Sequence, residues 1–321
     1  MNKKQEIESN EQKLLIISGP TAIGKTQLAF KLAKLFNGEL ISADSRQVYK
    51  GMDIGTGKEF GTRNKKQETR NNVRVWGYDV VTPDEEWSSA HFVKLADKLI
   101  FEIQSRGKLP IIVGGTGLYI ANLLNPPETL NIPPDKKLRG ELEKLPIVEL
   151  QDRLEKINLG RFASMNDSDK RNPRRLIRAI EVSTLKGYKG QKVKRSENIN
   201  TLHIALTAPF DIIDKRIEDR VWQRIEQGVE QEVRGLVKKY GWDSALRLTI
   251  GYKEWRTQND LSGQCSIEEV VKSWITHEKQ YARRQLTWMA KYSPDKLFNI
   301  SQSNCILDIE AYVSRWYHWK E

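Results

Sequence analysis

The chain has 321 residues, more than one hydrophobic core usually organises, so two domains are expected. Its 53 Lys and Arg outnumber 42 Asp and Glu, a net charge of +11 that favours a polyanionic partner, nucleic acid before membrane. Two distant cysteines, Cys265 and Cys305, exclude a disulfide framework and a zinc finger and suit a reducing cytoplasm. The polar start, Met1 to Gln12, has no apolar signal core, and no apolar run reaches membrane length.

The first element is a strand, Leu14-Leu15-Ile16-Ile17, followed by Gly19-Pro20-Thr21-Ala22-Ile23-Gly24-Lys25-Thr26 and then a helical apolar pattern from Gln27 to Phe36. The middle segment fits G-x-x-x-x-G-K-[ST], a phosphate-cradling loop, and its strand-before, helix-after context aims backbone N–H groups and a helix N-terminus at an anion. Lys25 would reach phosphate and the Thr26 hydroxyl a Mg²⁺ ion. Read alone, the loop points to nucleotide binding, ATP or GTP. A strand over Glu39 to Asp44 ends in a carboxylate, placed to meet Mg²⁺ through water, accept a proton from a nucleophile, or cap a turn. Glu59 to Asn72 reads as an exposed loop and Val73 to Val81 as a strand. Ser88 to Arg106 is an amphipathic helix closed by Gly107, and Leu109 to Val113 a buried strand opening onto Gly114-Gly115-Thr116-Gly117. This alternation predicts a phosphate-loop α/β fold: a parallel sheet flanked by helices, with ligands at the strand C-termini. The glycine loop, Asp44 and Thr116 should therefore share one crevice.

Pro126-Pro127 and Pro133-Pro134 mark a change of character. Residues 125–200 read as a mostly helical insertion, with 13–124 and 201–321 forming the discontinuous catalytic core. Within the insertion, Asn172-Pro173 starts a helix on which Arg174 and Arg178 share one face beside Arg171 and Arg175, with Leu176, Ile177 and Ile180 able to face a core. Such a face grips phosphate backbones or is simply solvated. Thr201 to Leu206 returns to strand. Asp211 to Tyr240 is helical, broken or softened near Gly228 and Gly235, and repeats Arg216, Arg220 and Arg224 beside Asp214, Glu218 and Asp219. Those arginines pair within the helix or neutralise a leaving phosphate. Ser266 to Tyr292 is a helix capped by Ser266. Its stretch Gln280 to Trp288 mixes cations and aromatic rings, which suits loop RNA or an inward-packed helix.

In order, GPTAIGKT (19–26), ISADSRQVYKGMDIGTGK (41–58), VGGTGLY (113–119), NPRRLIRAIEV (172–182), IGYKE (250–254) and RRQLTW (283–288) resemble the bacterial tRNA dimethylallyltransferases, or tRNA isopentenyltransferases, over nearly the whole chain. The resemblance implies a prenyl transferase that moves the dimethylallyl group of dimethylallyl diphosphate to N6 of the adenosine on the 3′ side of the anticodon in tRNA, releasing pyrophosphate. The target base would be flipped out of its stack. Gly19 to Thr26 would hold the diphosphate and Thr26 would ligate Mg²⁺. Asp44 would take the N6 proton, Thr116 would contact substrate near the reacting centre, and Arg220, or else Arg216, would bind the diphosphate. For tRNA the resemblance implies Asp44, Ser45, Arg46, Gln47, Thr116, Arg139, Arg174, Arg175, Leu176, Ile177, Arg178, Leu248 to Lys253, Arg283, Arg284 and Gln285, with the insertion gripping the anticodon stem-loop. A monomer without an obligate protein partner is expected. The chain departs from the family's pattern at Val75-Trp76-Gly77-Tyr78-Asp79 and at Leu248, where an arginine is usual and Arg247 stands adjacent. The alternatives are an adenylate isopentenyltransferase acting on free AMP, ADP or ATP, a phosphate-loop small-molecule kinase, and a noncatalytic RNA-binding protein.

Overall fold

The computed structural model describes residues 12–58, 69–70, 73–185, 199–256 and 266–318, which fall into two compact units, 1–124 with 196–321, and 125–195. The larger unit alternates β1 (Gln12–Ser18), α1 (Lys25–Leu35), β2 (Gly38–Ser42), β3 (Thr69–Arg70), β4 (Val73–Trp76), α2 (Ser89–Ser105), β5 (Leu109–Gly114) and α3 (Gly117–Leu124). The smaller unit follows: α4 (Lys136–Leu142), α5 (Ile147–Ile157), α6 (Leu159–Ser164), α7 (Asp167–Lys170) and α8 (Pro173–Thr184). The chain then returns to the larger unit with β6 (Ile199–Thr207), α9 (Phe210–Glu226), α10 (Val229–Tyr240), α11 (Ile267–Lys291), β7 (Lys296–Asn299) and α12 (Cys305–His318).

The sheet runs β3-β4-β2-β5-β1-β6-β7, parallel throughout except for β3 against β4. β1 lies between β5 and β6, with Leu15 opposite both Ile111 and Leu202, and Leu14 to Ile17 have no exposed surface. Burial on both faces is why these strands read as unbroken apolar runs. The chain leaves β1 toward β2 on one side and reaches β6 on the other, so the loop after β1 opens at the switch of strand order, where such sheets bind ligands.

Two strand expectations change. β4 stops at Trp76, because Gly77 (φ 87°) and Asp79 (φ 50°) turn the chain, and Val81 makes only an isolated bridge to Tyr49. The end of the polar stretch 59–72 is not loop: Thr69–Arg70 form the antiparallel edge strand. The rest of that stretch, most of the segment 187–200 and Cys265 lie outside the described residues. The helix expected over 211–240 divides at Gly228, whose φ of 89° no helix admits, whereas Gly235 sits inside α10 without breaking it.

The smaller unit has its own core of Leu142, Leu150, Leu154, Met165, Leu176, Ile177, Ala179 and Ile180. Four of its five helices are started by a side chain that accepts the N–H three residues on: Asp135 from Leu138, Asn158 from Arg161, Asn166 from Asp169 and Asn172 from Arg175. Such caps satisfy donors that a short helix otherwise leaves bare. Among the described residues no helix is long and apolar enough to cross a membrane.

Candidate active site

The loop after β1 takes its shape from two glycines. At Gly19 (φ 155°) a side chain would stand 3.0 Å from the Leu206 carbonyl oxygen, and Gly24 (φ 94°) starts α1 from a left-handed conformation. Lys25 Nζ donates to the Pro20 carbonyl at 2.7 Å. The loop is also held from α11: the Thr21 N–H donates to Gln285 Oε1 (2.8 Å), and the Thr21 hydroxyl donates to Glu278 Oε1 (3.0 Å).

Beside the loop is a cavity of about 640 Å³. Lys25 and Thr26 line it with Asp44, Arg216, Arg220 and Arg224. Ser45 to Gln47, Asp219, Lys253, Glu278, Tyr281 and Arg284 are also in its wall. Thus the loop, the Asp44 segment and the α9 arginines, far apart in sequence, do converge. Burial pulls Lys25 down to about 7; Arg220 pushes the same way, while Asp44 and Glu278 oppose. Burial pushes Glu278 up, but Arg224 and Arg220 outweigh it and hold its carboxyl below the usual range. The cavity therefore keeps an ionised carboxylate among its cations. Among the described residues no group of three His, Cys, Asp or Glu could hold a metal by itself.

Asp44 sits just beyond β2, where its Oδ1 accepts the Arg46 N–H at 2.8 Å. Gln47 accepts the Ser42 hydroxyl (2.9 Å) and donates to the carbonyls of Thr56 and Gly57 (3.3 and 3.4 Å). Thr116 follows Gly115 of the cavity wall, and its hydroxyl accepts the Ser45 N–H at 3.1 Å and bonds Tyr281. It ties the Asp44 segment to the glycine turn and to α11. Burial, then the Asp44 charge, push Tyr281 up to about 12, so this phenol stays protonated beside the carboxylate.

Two carboxylates of α9 pair outside their helix. Asp214 and Glu218 face α11, meeting Arg283 (3.1 Å) and Lys279 (2.6 Å) respectively. That leaves the arginine face to the cavity. Arg216 Nη1 donates to the Ile23 carbonyl at 3.4 Å; Arg224 is buried, 3.6 Å from Glu278 and over the Trp274 ring.

Several residues expected to meet RNA have internal duties. Gln285 is a strut: it accepts from Thr21 and donates to the Gly115 carbonyl at 2.9 Å, and its side chain is buried. Trp288 stacks on Tyr292, 4.1 Å between ring centres, and packs so close to Gly117 that a side chain there would come within 2.3 Å. The aromatic rings of α11 thus turn inward. In the smaller unit, Leu176 and Ile177 are core residues, so their side chains support α8 and do not face a partner. Arg139 makes a two-pronged pair with Glu181 (2.7 and 2.8 Å). Arg178 bonds the same carboxylate (3.1 Å) and the carbonyls of Thr129 and Ile132 (2.9 and 2.8 Å). Arg175 pairs with Asp169, and Arg174 is exposed. The sequence reading missed Glu278; it sits on α11 one turn before Tyr281 and two before Gln285, and the helical spacing of these polar residues was the available signal.

A family model described as IPP transferase matches residues 47–292, and one described as isopentenyl transferase matches 12–79. The tRNA dimethylallyltransferase of Halothermothrix orenii is 36% identical over 307 residues, covering 92% of this chain and 90% of that protein. That of Halalkalibacterium halodurans is 38% identical, covering 87% and 88%. Among solved structures, the tRNA isopentenylpyrophosphate transferase of Bacillus halodurans is similar with a TM-score of 0.67 and 35% identity, covering 95% of this chain and 97% of that one. A eukaryotic dimethylallyltransferase acting on tRNA aligns with a TM-score of 0.72 at 25% identity, covering 95% and 79%. These matches span both units and every residue of the cavity, and the chain belongs to the IPP transferase family, that of the tRNA dimethylallyltransferases.

Proposed function

We propose that the protein transfers the dimethylallyl group of dimethylallyl diphosphate to N6 of the adenosine on the 3′ side of the anticodon in tRNA and releases pyrophosphate. The observation that carries this is one cavity with a carboxylate, Asp44, near an anion seat built from the glycine loop, Lys25 and the α9 arginines. A kinase needs the anion seat too; the carboxylate placed for an incoming nucleophile and the tRNA-modifying relatives favour prenyl transfer.

Within the loop of Gly19 to Thr26, the amides of Ala22 to Thr26 hold the diphosphate together with Lys25 and Arg220, since Pro20 has no N–H and that of Thr21 is taken by Gln285. As the allylic C–O bond lengthens, charge gathers on the departing oxygens, and preorganised cations stabilise it there. With its pKa near 7, Lys25 takes up a proton as the dianionic group arrives. The amino group of adenine acidifies as its new C–N bond forms, and Asp44 accepts that proton. The Thr26 hydroxyl, at the cavity wall with Asp44, fits a Mg²⁺ ion that would take most of its shell from phosphate oxygens and water, as Mg²⁺ does. Bound there, it would neutralise diphosphate charge. Ser45, Arg46, Gln47, Lys253, Arg283 and Arg284 serve the RNA at the cavity wall or beside it, while Arg174 and Arg175 serve it from the insertion.

The test presents the protein with Mg²⁺, labelled dimethylallyl diphosphate, and an equimolar mixture of AMP and an anticodon stem-loop. Label on the RNA is expected; label on AMP alone would establish the free-nucleotide activity instead. Asp44→Asn should lower transfer by about 10²- to 10⁴-fold and leave pyrophosphate binding intact.

A further inference from the structure

Glu232, on α10, does not line the cavity, yet its carboxylate accepts four hydrogen bonds. Oε2 accepts the N–H of Asp53 (3.1 Å) and Ile54 (2.8 Å), and Oε1 that of Gly55 (3.0 Å). The Tyr252 hydroxyl donates to Oε1 at 2.6 Å. Successive backbone N–H groups converging this way form an anion-holding concavity, and here the anion is one of the chain's own side chains. Tyr252 is fully buried; burial, then the charge of Glu232, push its hydroxyl well above the ordinary value, so it stays a donor.

What the carboxylate holds is visible in the next residues. A side chain at Gly55 would stand 2.4 Å from the Tyr252 ring. Gly57 (φ 66°) lies against the α9 guanidinium groups, where a side chain would come within 2.5 Å of Arg224 Nη2 and 2.9 Å of Arg220 Nη2. Lys58 secures the far end: its buried ammonium donates to the Tyr49 carbonyl (2.7 Å) and to the carboxylates of Asp53 (2.9 Å) and Asp79 (2.6 Å). The segment is thus fixed at both ends, and its middle forms the surface on which two cavity arginines rest.

We propose that Glu232 is a positioning residue for the diphosphate end of the cavity: by holding the amides of Asp53, Ile54 and Gly55 it fixes Gly57 against Arg220 and Arg224 and so sets where their charges lie. It meets no substrate itself. The inference rests on the reading of this cavity as a diphosphate seat.

The experiment measures binding of inorganic pyrophosphate, with Mg²⁺, by calorimetry, and KM for dimethylallyl diphosphate. Glu232→Gln keeps the side chain's size but sets an NH₂ against backbone N–H donors, and should weaken pyrophosphate binding about tenfold and raise KM similarly. Tyr252→Phe removes one donor of four while keeping its ring, and should shift both about threefold the same way. Gly57→Ala, which leaves Glu232 intact and crowds the arginines, should reproduce the loss. Glu230→Gln, on a half-buried residue of the same helix paired with Arg234, should change neither constant. A purely structural Glu232 would lower the folded fraction and leave the dissociation constant and KM of the folded protein unchanged; that result overturns the proposal, as does parental affinity in both Glu232→Gln and Tyr252→Phe. Pyrophosphate binding does not need prenyl transfer, so a parent that binds pyrophosphate without transferring contradicts the proposed reaction alone, whereas one that fails to bind it overturns both.

Discussion

Two helices carry arginines at four-residue spacing, and the fold uses them differently. On α9, Arg216, Arg220 and Arg224 line a cavity, because Asp214 and Glu218 on the opposite face are engaged by Lys279 and Arg283 of α11. On α8, Arg178 is consumed by Glu181 and two backbone carbonyls, while Arg175, paired with Asp169, and Arg174 are both exposed. Spacing fixes which residues share a face. Whether that face binds a ligand depends on where the competing carboxylates point, which is a tertiary property.

The largest expected effect falls on the α9 side. Arg220→Gln should lower kcat/KM for dimethylallyl diphosphate by about 100-fold or more while the melting temperature holds, with Arg216→Gln costing less, since its guanidinium also serves the Ile23 carbonyl. Steady-state kinetics decide it, and an equal loss in both would erase the assignment of Arg220. Arg178→Ala should act on stability, not on the cavity: it strands the carbonyls of Thr129 and Ile132 and part of Glu181, a loss of about 2 kcal/mol read by chemical denaturation. A parental stability with weakened tRNA binding would reverse the comparison.

The Glu181 cluster also predicts a pH response. Burial pushes Glu181 up, but hydrogen bonds from Arg139 and Arg178 outweigh it and hold its carboxyl below its ordinary value of 4.5. A depressed carboxylate contributes stability at pH values above its unfolded pKa and loses it as pH falls through the folded one. Unfolding of the smaller unit should therefore become easier as the solution is acidified below about 4.5, and Glu181→Gln should flatten that dependence. The smallest effect belongs to Arg174→Ala, which should leave stability unchanged, weaken tRNA binding a few-fold, and reduce the slope of log affinity against log salt by about 0.9 for one lost phosphate contact.

What could be read from the sequence was what neighbours along the chain decide. The strand, glycine loop and helix around Lys25 form as expected, and α2 and α11 begin after Ser88 and Ser266, whose side chains cap them. Meeting of Asp44 with the glycine loop follows from the rule that parallel strands present ligands at their C-terminal ends. β7 was illegible: Lys296-Leu297-Phe298-Asn299 contains no β-branched residue and pairs with β6 alone. The inward turn of Gln285 was equally hidden, because the groups that claim its amide, the Thr21 N–H and the Gly115 carbonyl, lie 264 and 170 residues away. Thr116 was placed in the right neighbourhood, and the bonds of its hydroxyl to Ser45 and Tyr281, from distant parts of the chain, were hidden.

The central claim is that this cavity serves prenyl transfer to RNA. Mass spectrometry of an anticodon stem-loop incubated with the folded protein, Mg²⁺ and dimethylallyl diphosphate tests it directly. The account predicts a gain of one dimethylallyl group on the adenosine beside the anticodon, with pyrophosphate released in equal amount. An unmodified adenosine in the presence of protein that binds both substrates would contradict it.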